Sequence, residues 1–373
     1  MTSIPDITIP DSMRPADGRF GSGPSKVRSE AVSALAAEAD HFLGTSHRQD
    51  TVKLVVAGLR NGLLEFFDAP DGYSILLGIG GATLFWDAAT FGLIENSAQM
   101  LVSGEFSSKF AKAVATAPHL GDPDIIEGEP GTAPALLPNP DVDAYCYPHN
   151  ETSTGVQFPV ERPDGDGLVL VDATSGAGGL RFDASATDAY YFAPQKCFSS
   201  DGGLWLALCS PAAMDRINKL CSGDRWMPEI LNLKTALDNS LKDQTYNTPA
   251  LATIYLALKY TEWCNENGGL EFAAGRSDQS AAILYGWADA SEYATPFVQN
   301  EQNRSHVTAT IDLDDSIDVN TVVAILRNNG ILDTGGYRKL GRNQMRISLM
   351  PAVEPSDVEA LTHSIDHVVS QLG

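Results

Sequence analysis

Lys196 follows the short apolar run Ala189–Phe192 by four residues, in Ala193-Pro194-Gln195-Lys196. A lysine held at such a strand end can do what a solvated lysine cannot. Desolvation and neighbouring cations lower its pKa and free the amine for Schiff-base chemistry. Asp172 ends a second apolar run, Leu168–Val171, where a carboxylate is hard to explain as solvent decoration. Gly80-Gly81-Ala82-Thr83 stands where a helix should begin, and its backbone N–H groups and positive dipole end suit a phosphate. It does not complete G-x-G-x-x-G, and a tight turn would need no ligand at all. Phe106, in Ser103-Gly104-Glu105-Phe106, could stack on a planar ring or simply fill a core. Read singly, each residue has an ordinary structural role. Together they fall at the ends of successive apolar runs, and ligands of an open parallel sheet sit at the carboxyl ends of its strands.

The elements that must position these residues follow a βαβ cadence from about Tyr73 to Pro211. Strands are predicted at Tyr73–Leu77, Met100–Val102, Ala144–Tyr147, Leu168–Val171, Ala189–Phe192 and Leu204–Leu208, with a helix from Ala82 to about Leu93. Several runs are continuously apolar, as in strands covered on both faces. Gly121–Asp141, rich in Pro, Gly and Asp, reads as a connecting loop. Leu251–Asn265 reads as a long helix that bridges to a second region. There the expected elements are a strand at Val307–Asp312, a helix at Val319–Asn328, a strand at Met345–Leu349 and a helix after Ser356. Ser356 and Glu359 suggest a capping box for that last helix, with Pro355 stopping the loop before it. The expected class is α/β: a large domain over 15–255 with a mainly parallel sheet, and a smaller C-terminal α+β domain over 256–373, against which 1–14 packs.

A chain of 373 residues with a net charge of −23 has room for two cores and no overall attraction for phosphate backbones, so nucleic acid and anionic membranes are excluded as expected partners. An anionic substrate would need its basic residues concentrated in one cleft. The five cysteines show no CxxC or Cys/His spacing, so neither a disulfide nor a metal site is expected and a reducing compartment is. The opening residues lack the basic and apolar regions of a signal peptide, and no stretch approaches the roughly 18 apolar residues of a membrane span, which points to the cytoplasm.

Gly21–Ser25, Thr45–Arg48, His149–Thr152, Val171–Thr174, Ala193–Lys196, Asp201–Gly203, Tyr246–Pro249 and Met345–Ser348 occur in this order. In that succession, and in the 24 positions between Asp172 and Lys196, the chain resembles the phosphoserine aminotransferases over almost its whole length, most closely their actinobacterial form. That class V family belongs to the fold-type I pyridoxal-phosphate enzymes, so the resemblance implies a seven-stranded-type sheet and pyridoxal 5′-phosphate as cofactor. It implies that Lys196 carries the cofactor as a Schiff base, Asp172 holds the pyridine nitrogen protonated and Thr152 bonds the phenolic oxygen. Ala82, Thr83 and Gln195 would contact the phosphate and Phe106 would stack on the ring. Asn247 and Thr248 would reach the phosphate from a neighbouring subunit, which implies a homodimer. Arg346 would grip the substrate α-carboxylate, and His47 and Arg48 match the family's substrate-binding pair. The implied reaction moves an amino group from L-glutamate to 3-phosphohydroxypyruvate in serine biosynthesis, with a related step of pyridoxine biosynthesis as a possible side activity.

The chain departs from the family's commonest pattern at two places. Ala82 stands where an Arg usually follows the glycines, and Tyr337–Arg342 replaces a His-Arg pair. Either Lys53, Arg338, Lys339 and Arg342 supply the substrate-phosphate site, or the substrate is not phosphorylated, as in a serine/alanine–glyoxylate aminotransferase. A cysteine desulfurase is disfavoured, because no Cys lies beyond Cys264.

Overall fold

The computed structural model describes residues 4–373, so residues 1–3 of the expected N-terminal segment 1–14 lie outside the described residues. Its strands are β1 (Ser74–Ile79), β2 (Ala98–Val102), β3 (Asp124–Glu127), β4 (Ala144–Pro148), β5 (Asn150–Glu151), β6 (Val156–Gln157), β7 (Leu168–Asp172), β8 (Ala189–Phe192), β9 (Leu204–Cys209), β10 (Ala294–Pro296), β11 (Thr308–Leu313) and β12 (Gln344–Ser348). Its helices are α1 (Ser29–Phe42), α2 (Asp50–Phe66), α3 (Ala82–Gly92), α4 (Glu105–Thr116), α5 (Pro211–Cys221), α6 (Leu233–Ser240), α7 (Leu251–Glu266), α8 (Gly269–Ala290), α9 (Val319–Asn328) and α10 (Pro355–Leu372).

Seven strands form one sheet in the order β1-β9-β8-β7-β4-β2-β3. Only β9 runs against its neighbours β1 and β8; the pairings of β8 with β7, β7 with β4, β4 with β2 and β2 with β3 are parallel. Every residue of β2, β4, β7, β8 and β9 is buried. Such strands must be apolar throughout because both faces are covered. On one face Val56, Leu59 and Leu63 of α2 and Ile254 and Leu258 of α7 pack down. On the other lie Phe85 of α3, Phe110 of α4 and Ile217 of α5.

A second, antiparallel sheet, β10-β11-β12, buries Ala309, Ile311, Met345 and Ile347 against Leu284 of α8, Val322 of α9 and Ile365 of α10. Ile9 and Phe20 join this cluster, and the Ile9 N–H donates to Asn329 Oδ1 at 2.9 Å.

Two expectations need correction. Gly121–Asp141 is not all connecting loop: Asp124–Glu127 forms β3, the edge of the large sheet, in parallel register with β2. Only Ile125 and Ile126 are apolar there, and the strand is held by backbone pairing and by Asp124, whose carboxylate accepts from Gln99 and Asn139 at 2.8 Å. The last helix does not open on a capping box. Pro355 is its first residue rather than part of a stopped loop, and no side chain caps it; proline at this position loses nothing, since its missing N–H would be unsatisfied anyway.

Candidate active site

The carboxyl ends of β1, β2, β4, β7 and β8 meet at one edge of the sheet, around a cavity of about 350 Å³. β1 feeds Gly80 and Gly81, at φ of +100° and +76°, into α3. Positive φ is cheap only for glycine, so the turn brings the start of α3 to the cavity. No side chain caps that helix end, leaving its first N–H groups, at Ala82 and Thr83, to an anion.

Asp172, the last residue of β7, and Lys196, in the loop after β8, line the same cavity with Phe106, Thr152 and Gln195. The Lys196 ammonium donates to Ser22 O at 2.8 Å. Burial and, next, the Arg346 charge pull its pKa down to about 8. Burial raises the Asp172 carboxyl, while donors work in the opposite direction: the Thr174 hydroxyl and N–H at 2.5 and 2.9 Å on Oδ1, and the Trp86 indole N–H at 2.8 Å on Oδ2. Such bonds favour the ionised form and offset part of the rise that burial causes.

Residues 150–153 serve two neighbours at once. Asn150 and Thr152 face the cavity, whereas the Glu151 carboxylate turns away to accept from the Ser107 N–H at 2.9 Å and hydroxyl at 2.8 Å. Ser153 Oγ accepts from the Glu105 N–H at 3.1 Å. The first turn of α4 is thereby capped from outside, and Phe106 on that turn is fixed at the cavity wall. Arg346, on β12, donates to Thr152 O at 3.4 Å, and its Nε is buried without a partner. Gln195 Oε1 and Asn150 Oδ1 are likewise buried and unpartnered at the cavity. Native interiors rarely leave such groups unsatisfied. With the uncapped helix end, the aromatic wall, the amine and the carboxylate, these orphans fit a cofactor that has a phosphate, a planar ring and a carbonyl.

The remaining expected residues lie elsewhere. His47, Arg48 and Thr248 line a separate open cleft of about 670 Å³, where His47 Nδ1 and Thr248 Oγ1 are 3.2 Å apart. Asn247 and Thr248 are exposed. Among the expected phosphate ligands, Lys53 lies on α2, away from the cavity residues. Arg342 is committed to Asp312, with Nη2 at 2.5 Å and Nε at 3.1 Å. Arg338 and Lys339 line a second cavity of about 560 Å³ that also contains Arg346 and shares Gly23 and Pro24 with the first. Lys339 is paired with Glu105 at 2.5 Å, while Arg338 has no ion pair among the described residues.

Sequence reasoning missed two residues. Gly23 passes so close to Lys196 that a Cβ there would lie 2.0 Å from Nζ. Its signal was present in the glycine-rich Gly21–Ser25. Trp86 looked like one more apolar residue of α3, and nothing in its spacing marked the bond to Asp172.

The class V aminotransferase family model matches residues 129–361. A phosphoserine aminotransferase of Rhodococcus jostii (strain RHA1) is 54% identical over all of both chains. One from a Nocardioides species is 55% identical over 98% of this chain and 99% of its own. Among solved structures, a phosphoserine aminotransferase from Cytophaga hutchinsonii superposes with a TM-score of 0.87 at 22% identity, covering 96% of this chain and all of that one. A PLP-bound phosphoserine aminotransferase from Trichomonas vaginalis gives 0.80 at 21% identity, covering 94% and 99%.

Proposed function

We propose, from the fact that the chain belongs to the phosphoserine aminotransferases within the class V aminotransferase family, that it transfers the amino group of L-glutamate to 3-phosphohydroxypyruvate in a ping-pong reaction, giving 2-oxoglutarate and O-phospho-L-serine for serine biosynthesis. The observation that carries this reading is the placement of a half-buried lysine and a buried carboxylate in one cavity beneath an uncapped helix end. Pyridoxal phosphate, the family's cofactor, supplies when bound a carbonyl for amine capture and a ring that accepts electrons.

The chain's own residues do the rest. Lys196 would hold the cofactor through its carbonyl and, once freed by the incoming amine, would take the substrate Cα proton on Nζ and deliver it to the cofactor carbon that retains the amino group rather than back to Cα; a pKa near 8 suits an amine that must be base and acid in turn. Asp172 would keep a proton on the ring nitrogen. Thr152 would bind the phenolic oxygen, Phe106 would lie against the ring, and Ala82, Thr83 and Gln195 would hold the phosphate. Arg346 receives the α-carboxylate, for which its planar fork is suited. For the substrate phosphate, Arg338 is the favoured residue of the four considered: it shares a cavity with Arg346 and is not held by a carboxylate.

His47, Arg48, Asn247 and Thr248 complete the site of a second copy in a homodimer, a reading supported by the exposure of Arg48, Asn247 and Thr248 and by the separate cleft that His47, Arg48 and Thr248 line. A division into a large and a small domain, with Ile9 on the latter, is supported by the separate apolar clusters of the two sheets, but a boundary at 255 cuts α7, whose Leu258, Tyr260 and Cys264 belong to the large-sheet cluster, and Phe20 packs with the small sheet. A cytoplasmic location is supported by five unpaired cysteines. Turnover of a related phosphorylated substrate of pyridoxine biosynthesis would use the same residues.

The test is the visible spectrum of purified protein treated with L-glutamate and then with 3-phosphohydroxypyruvate. The expected result is a band that glutamate bleaches and the phosphorylated keto acid restores. Restoration by glyoxylate alone would replace the substrate, and no band after cofactor addition would overturn the assignment at Lys196.

A further inference from the structure

Helix α3 meets the cavity twice. Its uncapped first residue, Ala82, and Trp86 both line it, and a separation of four residues puts them on one helix face. Trp86 is buried, and its indole lies nearly parallel to Phe110, with ring centroids 6.1 Å apart and an interplanar angle of 18°. That packing fixes the direction of the single indole donor, which points at Asp172 Oδ2 from 2.8 Å. A carboxylate offers about four acceptor positions. Thr174 occupies two on Oδ1 and Trp86 one on Oδ2, so the position left open belongs to the oxygen that Trp86 holds.

We propose that Trp86 is a positioning residue for the cofactor's ring nitrogen: it aims the free acceptor of Asp172 Oδ2 and, by donating to that oxygen, favours the charged form of the carboxylate. The inference rests on the assignment of pyridoxal phosphate and of Asp172 made above. It places two functions on α3, a phosphate cradle at the helix end and, one turn later, control of the far side of the ring. The indole N–H makes the side-chain hydrogen bond to Oδ2 among the described residues; the Tyr191 hydroxyl, buried without a partner of its own, lies beside both Asp172 and Trp86.

The test compares two ligands on the apo protein: pyridoxal phosphate, and its analogue with carbon in place of the ring nitrogen. Wild type is expected to prefer the natural cofactor. Trp86→Phe keeps most of the packing and removes the donor, so it should weaken pyridoxal phosphate binding roughly tenfold, the scale of a lost bond to a charged group, while barely changing the analogue. Equal weakening of both ligands would overturn the proposal, because it would reduce Trp86 to a packing residue. A wild type with no preference would overturn it differently, by removing Asp172 from the ring nitrogen, and the spectral test of transamination would still stand on its own. Should Trp86→Phe fail to fold, the Trp86 indole N–H resonance of ¹⁵N-labelled wild type gives the answer. It is expected to shift on adding pyridoxal phosphate and far less with the analogue; identical shifts would overturn the proposal.

Discussion

The cavity around Lys196 and the cleft around His47 are built on opposite terms. The first is assembled from the ends of five strands, buries its carboxylate and half-buries its amine, and leaves polar atoms of Gln195, Asn150 and Arg346 without partners. The second is open, its Arg48 and Thr248 are exposed, and its polar contacts join His47 to Thr248 and the Arg48 N–H to Ser46 Oγ. The difference teaches where each gets its energy. The enclosed site strengthens electrostatic interactions by lowering the local dielectric. In the open cleft burial lowers the His47 pKa, but Arg48 and Thr248 remain exposed, as suits a surface that the proposed second copy would cover.

The comparison breaks most sharply at Lys196. Lys196→Ala should lower turnover by at least about 10⁴-fold, the upper range for a lost acid–base group, and abolish the visible band; steady-state rates near wild type would remove the buried cavity from the chemistry. Gly23→Ala tests the same cavity without touching a reactive group. Its methyl would lie 2.0 Å from the Lys196 nitrogen, so a loss of roughly 100-fold in kcat is expected with the fold intact by circular dichroism.

The contrast with the open cleft is sharpened by subunit mixing. A His47→Ala/Arg48→Ala/Thr248→Ala chain should itself be impaired, and so should Lys196→Ala. Mixed and reassociated at equal amounts, they should regain about a quarter of the wild-type sites, since half the dimers are mixed and each mixed dimer keeps one intact site. No regain would place both regions in the same chain's chemistry.

The smallest effect is one of pH. A lysine whose folded pKa lies near 8, below its ordinary value, is neutral above that pH and charged below it. The association rate of apo protein with pyridoxal phosphate should therefore fall about tenfold per pH unit below 8 and level off above it. A rate that keeps rising about tenfold per unit through pH 9 without levelling off would mean that Lys196 keeps the ordinary lysine pKa.

How much of this was legible in the sequence depended on whether the signal was local. Ala189–Phe192 and Val319–Asn328 are observed with the expected bounds, because an apolar run of four buried residues and a 3.6-residue period are properties of consecutive residues. β3 was missed because an edge strand needs only one buried face and borrows its order from β2. The capping box at Ser356 failed because Pro355 already satisfied the requirement of a helix start.

The sequence by itself determined the alternation of strands and helices, the strand-end positions of Asp172 and Lys196 and, through the succession of short motifs, the family. Only the tertiary structure decided that Gly23 crosses Lys196, that Trp86 holds Asp172, that Glu151 caps α4, and that His47 lies apart from the cavity residues. The reason is physical. Periodicity and turn chemistry are written in neighbouring residues, whereas a hydrogen bond between residues 86 positions apart in the chain, like Trp86 to Asp172, exists only once the sheet has brought α3 and the end of β7 to one edge.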